Sequence, residues 1–167
     1  MTQKITTFIT YKKGAEDAAK LYTSLFKNSR ITDTSRYPDG VQVPGGPKPG
    51  DVMTVAFTLD GQDFVALNGG DPFSFSDGIS LSVRAETQDE IDRLTDTLTA
   101  NGGEEGPCGW IKDRFGVSWQ INPPVLGEML TDSDPAKANR VMQAMMKMKR
   151  IKIAELKRAY EGEPAKV

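Results

Sequence analysis

Apolar and polar positions recur along the chain with two periods, and the switches between them predict its elements. Residues 4 to 11 read as a strand: Ile5, Thr7, Ile9 and Tyr11 alternate with Thr6, Phe8 and Thr10, and most are β-branched or aromatic. The period then becomes helical over residues 15 to 26, with Ala18, Leu21, Tyr22, Leu25 and Phe26 on one face and Asn28 as the stop. Residues 29 to 37 and 52 to 68 supply three more strands. The last two are joined at Asp60-Gly61, a dipeptide that accepts the positive φ angles of a tight hairpin.

The same order then returns. Residues 79 to 84 predict a strand, and Thr87-Gln-Asp-Glu90 is a capping box that opens a helix carrying Ile91, Leu94 and Leu98. Asn101-Gly-Gly103 ends that helix, and residues 104 to 106 form a short strand. A hairpin over residues 108 to 122 closes the half, turning at Asp113-Arg-Phe-Gly116, with an acceptor side chain at the start and glycine at the end. On its second strand Val117, Trp119 and Ile121 fall on one side and Ser118, Gln120 and Asn122 on the other. The fold class is therefore α+β, two βαβββ modules over residues 1–123, followed by a C-terminal helical extension over 124–167.

Two segments stand outside the repeat. Residues 38 to 50 hold four of the ten prolines and four of the sixteen glycines, so they cannot continue a sheet and read as a long loop, either a lid or an indifferent excursion. In the tail, Asp134-Pro135 caps a helix whose stripe is Ala138, Val141, Met145, Met148 and Lys149. The basic run over 147 to 152 reads as the solvated side of that helix.

Composition narrows the partners. A chain of 167 residues suits one domain with an appendage, since domains commonly run about 100 to 150 residues. No apolar run approaches the roughly 18 residues that cross a bilayer, and no leader pattern opens the chain. A soluble, cytoplasmic protein without membrane contact is expected. With 21 basic and 23 acidic residues there is no field to recruit nucleic acid. The single cysteine, Cys108, allows no internal disulfide, and without any histidine to activate it, it reads as packing rather than nucleophile.

The segments Ala-Glu-Asp-Ala-Ala-Lys-Leu-Tyr-Thr-Ser-Leu-Phe from Ala15, Phe-Val-Ala-Leu-Asn-Gly-Gly from Phe64, Glu-Thr-Gln-Asp-Glu-Ile-Asp-Arg-Leu from Glu86, Cys-Gly-Trp-Ile-Lys-Asp-Arg-Phe-Gly-Val-Ser-Trp-Gln from Cys108 and Val-Met-Gln-Ala-Met-Met-Lys-Met from Val141 carry a resemblance. With them the chain resembles the vicinal oxygen chelate superfamily, the glyoxalase, bleomycin-resistance and dioxygenase fold, and within it the PhnB-like family often labelled 3-demethylubiquinone-9 3-methyltransferase. That label asks for a glycine-rich strand-to-helix turn. Gly69-Gly70 is the nearest candidate, but Asp71-Pro72 and Phe73 follow it without a helical pattern.

The superfamily's usual chemistry rests on a divalent metal held by four strands. Here the corresponding positions fall at about Thr7, Ala66, Gly78 and Gln120, and only Gln120 has a side chain of the usual ligand type. No metal and no cofactor are expected. By alternation the concave face shows Thr7, Ile9, Tyr11, Phe64, Ala66, Asn68, Ser80, Ser82, Trp110, Ser118 and Gln120, and no Asp or Glu. The candidate ligand contacts are Thr7, Tyr11, Asn68, Ser80, Trp110 and Gln120; the bland alternative is that these side chains satisfy one another inside a core. Asp113 and Arg114 read first as turn residues. The expected function is metal-independent binding of a small, largely apolar molecule. The alternatives are an enzyme of unknown reaction, with no catalytic residue assigned, or a dimeric scaffold. The incomplete sheets implied by the resemblance and the methionine-bearing tail predict a homodimer.

Overall fold

A computed structural model describes residues 4–41 and 46–163 of the chain. The chain divides into two compact units, Met1–Phe75 and Ser76–Val167, so the tail from Pro124 belongs to the second.

In the first unit the elements are β1 (Thr7–Tyr11), α1 (Ala15–Leu25), β2 (Arg30–Arg36), β3 (Val52–Leu59) and β4 (Gln62–Asn68). They build one sheet in the order β1-β4-β3-β2. β1 runs parallel to β4, with Thr7 opposite Phe64 and Tyr11 opposite Asn68, and the remaining pairs are antiparallel. Asp60 and Gly61 turn β3 into β4 with φ of 45° and 79°, the positive pair that the dipeptide predicts. α1 packs on β3 and β4 and buries Ala15, Ala18 and Ala19, whose small side chains let the backbone come close, together with Tyr22 and Leu25. Beneath it the Phe57 ring stacks on Phe64 at 5.4 Å and lies 6.4 Å from Tyr22. Each fully buried chain of this size contributes about 1.5–3 kcal/mol.

The second unit repeats that order with β5 (Leu81–Arg84), α2 (Gln88–Thr99), β6 (Glu104–Glu105), β7 (Trp110–Lys112) and β8 (Ser118–Asn122) in a sheet ordered β5-β8-β7-β6. β5 is again parallel to β8. Thr87 caps α2 by accepting the Glu90 N–H at 3.2 Å, while the Glu90 carboxylate reaches one residue further back than a capping box requires and accepts the Glu86 N–H at 2.8 Å. α2 packs on β7 and β8, and buried Ile91, Leu94 and Leu98 belong to the same core as Ile111, Trp119 and Ile121. α3 (Pro124–Leu130), α4 (Pro135–Met145) and α5 (Ile153–Glu161) pack on one another, and Val141 of α4 and Leu156 of α5 are fully buried. Arg140 donates to the carbonyls of Ala159 and Tyr160 at 2.9 and 2.7 Å, a cation placed at the end of α5 where carbonyls lack helical partners.

Several boundaries differ from those the sequence predicts. β1 and β5 start late, at Thr7 and Leu81, and Ile5 and Ile79 are exposed. The tail stripe breaks at Met145, and residues 147–152 are a connector rather than the solvated side of a helix. The reason is a contact distant in sequence: the Met148 and Lys149 carbonyls accept the N–H groups of Cys108 and Gly109, and Ile151 is fully buried. Of the loop over 38–50, residues 42–45 lie outside the described residues; its ends are tied by Tyr37 N–H to Asp51 O and Gly50 N–H to Tyr37 O, both 2.9 Å. Among the described residues no helix is long and apolar enough to cross a membrane.

Candidate functional site

The β7–β8 hairpin is set by one buried carboxylate. Asp113 Oδ1 accepts the N–H groups of Phe115 and Val117 at 2.9 and 3.0 Å, and Oδ2 accepts the Trp119 indole N–H at 2.9 Å. That commits Asp113 to the turn, as the sequence suggests, and commits Trp119 to the helix side. Alternation then sends Trp110, Ser118 and Gln120 to the opposite face, open in that α2 does not cover it, although Ser118 itself is buried there.

On that face the register lines up rows. Trp110 lies opposite Gln120, and Gln120 opposite Ser82; Lys112 lies opposite Ser118 in the next row. Gln120 Nε2 donates to Ser80 Oγ at 2.9 Å, which fixes the carboxamide, and its oxygen accepts no hydrogen bond from a described residue. Trp110 and Gln120 are half-buried. Of the six expected contacts, Trp110 and Gln120 therefore share one face of one sheet, and Ser80, just before β5, is joined to them by its bond to Gln120.

Two charged groups join them that the sequence reading missed. Lys112, two residues beyond Trp110 and so of the same parity, pairs with Asp77 at 2.9 Å, and that hydrogen bond and charge raise its pKa above the usual lysine value. Glu104 of β6 lies opposite Lys112. The face is thus not free of carboxylates, a correction to the sequence reading, although Glu104 is exposed on an edge strand.

The other three expected contacts lie in the first unit, and there the parity is reversed. Tyr11 is buried on the face covered by α1, its hydroxyl donating to that of Tyr22 at 3.3 Å. Asn68 lies on that face too. Its Oδ1 accepts the Ala15 N–H at 2.9 Å, where the first turn of α1 lacks backbone partners, and its Nδ2 donates to Val52 O at 2.9 Å. Thr7 shares the parity of Tyr11 at the exposed start of β1. Ile9, Phe64 and Ala66 are core residues of the same layer. The open face of this sheet carries instead Phe8 and Thr10 from β1, Val65 and Leu67 from β4, and Thr54 and Ala56 from β3.

Gly69 has a packing role. A Cβ there would meet Thr10 Cγ2 at 2.6 Å and the Phe73 ring at 2.7 Å, and the Gly69 and Gly70 N–H groups donate to Tyr11 O and Lys12 O. No helix follows them before β5, so this is not a cofactor-binding strand-to-helix turn.

The donor set does not fit a divalent ion. Of the four positions, Thr7 and Ala66 belong to the helix-covered face, Gly78 has no side chain, and Gln120 alone would offer an uncharged amide oxygen, short of the charge and ligand count a divalent ion needs. Among the described residues no group of three or more Cys, Asp or Glu is placed to hold a metal. Cys108 lies under the connector, its Sγ 3.7 Å from Met145 O.

The family described as 3-demethylubiquinone-9 3-methyltransferase matches residues 3–122. A Bacillus cereus structure bearing that name and the name PhnB protein is 38% identical, covering 72% of this chain and 99% of its own, with a TM-score of 0.62. The chain belongs to the PhnB-like family. Its fold recurs in proteins of much lower sequence identity. Protein PA1353 of Pseudomonas aeruginosa (20% identity, 73% of this chain and 98% of that one, TM-score 0.55) shares it. So does the fosfomycin resistance protein FosX of Listeria monocytogenes, a complex with Mn(II) and sulfate (16% identity, 78% and 99%, TM-score 0.53). No curated protein is similar enough in sequence to match this PhnB-like chain.

Proposed function

We propose that this PhnB-like protein binds a small, largely apolar molecule without a metal, on the open face of the β5–β8 sheet. The observation that carries the reading is the row Trp110–Gln120–Ser82, with Gln120 held by Ser80. An indole supplies a flat apolar wall, and a carboxamide with its donor already engaged offers an oxygen as one directional acceptor. Methyl transfer is not favoured, because Gly69 and Gly70 serve the β1–β4 edge and the Phe73 ring. Acid–base chemistry finds no histidine in the chain, and Lys112 on this face is paired with Asp77.

A thermal-shift screen of small molecules, followed by titration of the best hit, tests this. Gln120→Leu keeps volume but removes the acceptor, and affinity falls by about 0.5–1.5 kcal/mol. Trp110→Ala costs more, because contact area and ring geometry go together. EDTA leaves the affinity unchanged. Wild-type affinity in both folded variants, or loss of binding in EDTA, overturns the reading.

A further inference from the structure

Trp110 is flanked by Gly109, which is bonded to the tail, and by Ile111, whose β6 partner is bonded to it. Before it, Gly109 N–H donates to Lys149 O at 2.7 Å and Cys108 N–H to Met148 O at 2.8 Å. Both hold positive φ, 78° and 58°, a bend that exposes consecutive N–H groups, and the connector carbonyls take them up. The approach is close: a Cβ on Gly109 would meet Ile121 O at 2.9 Å and Ile151 Cγ1 at 3.0 Å. After it, Ile111 pairs with Glu105 of β6. Arg150 Nη2 reaches the Glu105 carboxylate at 2.6 Å and Asp96 of α2 at 2.6 Å, while Nη1 reaches Asp92 at 3.3 Å. Gln88 adds a reciprocal pair, donating to Ile151 O at 3.0 Å and accepting the Ile153 N–H at 2.9 Å.

An isolated surface ion pair contributes little to stability. Arg150 differs, with a side chain only 18% exposed and three carboxylates around it. It sits on the helix side of the sheet, since Glu105 shares the parity of Ile111, whereas Trp110 is on the open side.

We propose that Arg150 is a positioning residue for Trp110: by fixing connector 147–152 between α2 and β6, it sets the indole on the ligand face from the opposite side of the sheet. The consequence for affinity rests on the ligand reading above; the positioning does not. In the ¹⁵N-labelled full chain two indole N–H signals are expected, assigned with Trp110→Phe. In Arg150→Met the Trp110 signal moves or broadens and the Cys108 and Gly109 amides exchange about tenfold faster, while the Trp119 signal, held by Asp113, stays in place. Unchanged Trp110, Cys108 and Gly109 signals in that variant overturn the proposal. Should Arg150→Met lose the Trp119 signal as well, Asp96→Ala and Glu105→Ala, each removing one arm, decide by the same criterion: a displaced Trp110 beside an unmoved Trp119 supports it, and an unmoved Trp110 in both overturns it. Equal ligand affinity in wild type and a variant whose Trp110 has moved supports positioning and counts against the ligand reading alone.

Discussion

Asp113 Oδ2 accepts the indole N–H of Trp119 at 2.9 Å, and both residues are almost wholly shielded from solvent. The same carboxylate closes the turn through Phe115 and Val117, so one side chain decides both the shape of the hairpin and which tryptophan faces the core. Asp113→Ala leaves a buried indole donor without this partner and loosens the turn. A loss of about 2–4 kcal/mol is expected, seen as a lower urea midpoint at unchanged m-value. Asp113→Asn keeps one acceptor and should fall between alanine and wild type. A midpoint for Asp113→Ala equal to wild type would contradict this account.

Asn68 behaves as the cap of α1 although it lies far from that helix in sequence. Asn68→Ala removes the acceptor for Ala15 N–H and the donor to Val52 O, at a cost of about 1–2 kcal/mol. Asn68→Asp retains the acceptor and adds a negative charge at a helix start, so it should recover part of the loss. Denaturant unfolding of the three proteins checks the order, and Asn68→Asp no better than Asn68→Ala would refute the capping role.

Acid should loosen the connector before it unfolds the sheet. Burial works to raise the Asp92 pKa, but the Gln88 amide, the Arg150 guanidinium and the Lys152 charge outweigh it and hold the carboxyl below its usual value. A carboxyl depressed in the folded state contributes stability above its unfolded pKa of about 3.9, and that contribution is lost as pH falls through the lower folded value. The groups facing Arg150 are Asp92, Asp96 and Glu105, with Lys152 beside Asp92 at 3.6 Å. Exchange of the Cys108 and Gly109 amides, corrected for intrinsic rates, should therefore be flat from pH 7 to about 5 and rise only below about 4. Loss of protection near neutral pH would show that these carboxylates do not hold the connector.

Elements whose signals are local were legible in the sequence. The Asp60-Gly61 turn, the Thr87 cap and the Asp134 cap, which accepts the Ala136 N–H at 2.9 Å, each involve neighbours a few residues apart. The open face of the second sheet was legible too, because Val117, Trp119 and Ile121 contrast sharply with Ser118 and Gln120. β1 gives no such contrast. Phe8 and Thr10 are as mixed as Ile9 and Tyr11, and alternation separates two faces without saying which one α1 covers. The roles of Asn68 and Arg150 were hidden for another reason: their partners, Ala15 in one case and Asp92, Asp96 and Glu105 in the other, are distant in sequence and meet them only through the fold.

In each unit the first strand made is the one that pairs with the last: Thr7 waits for Phe64, and Leu81 for Trp119. During synthesis β1 therefore emerges with no neighbour, and neither sheet can close until its fourth strand leaves the ribosome. Loop-closure entropy falls on these two parallel pairings rather than on the hairpins. A chain stopped before residue 62 would present Phe8 and Ile9 on an unpaired strand, which makes early termination a route to aggregation rather than to a smaller folded module.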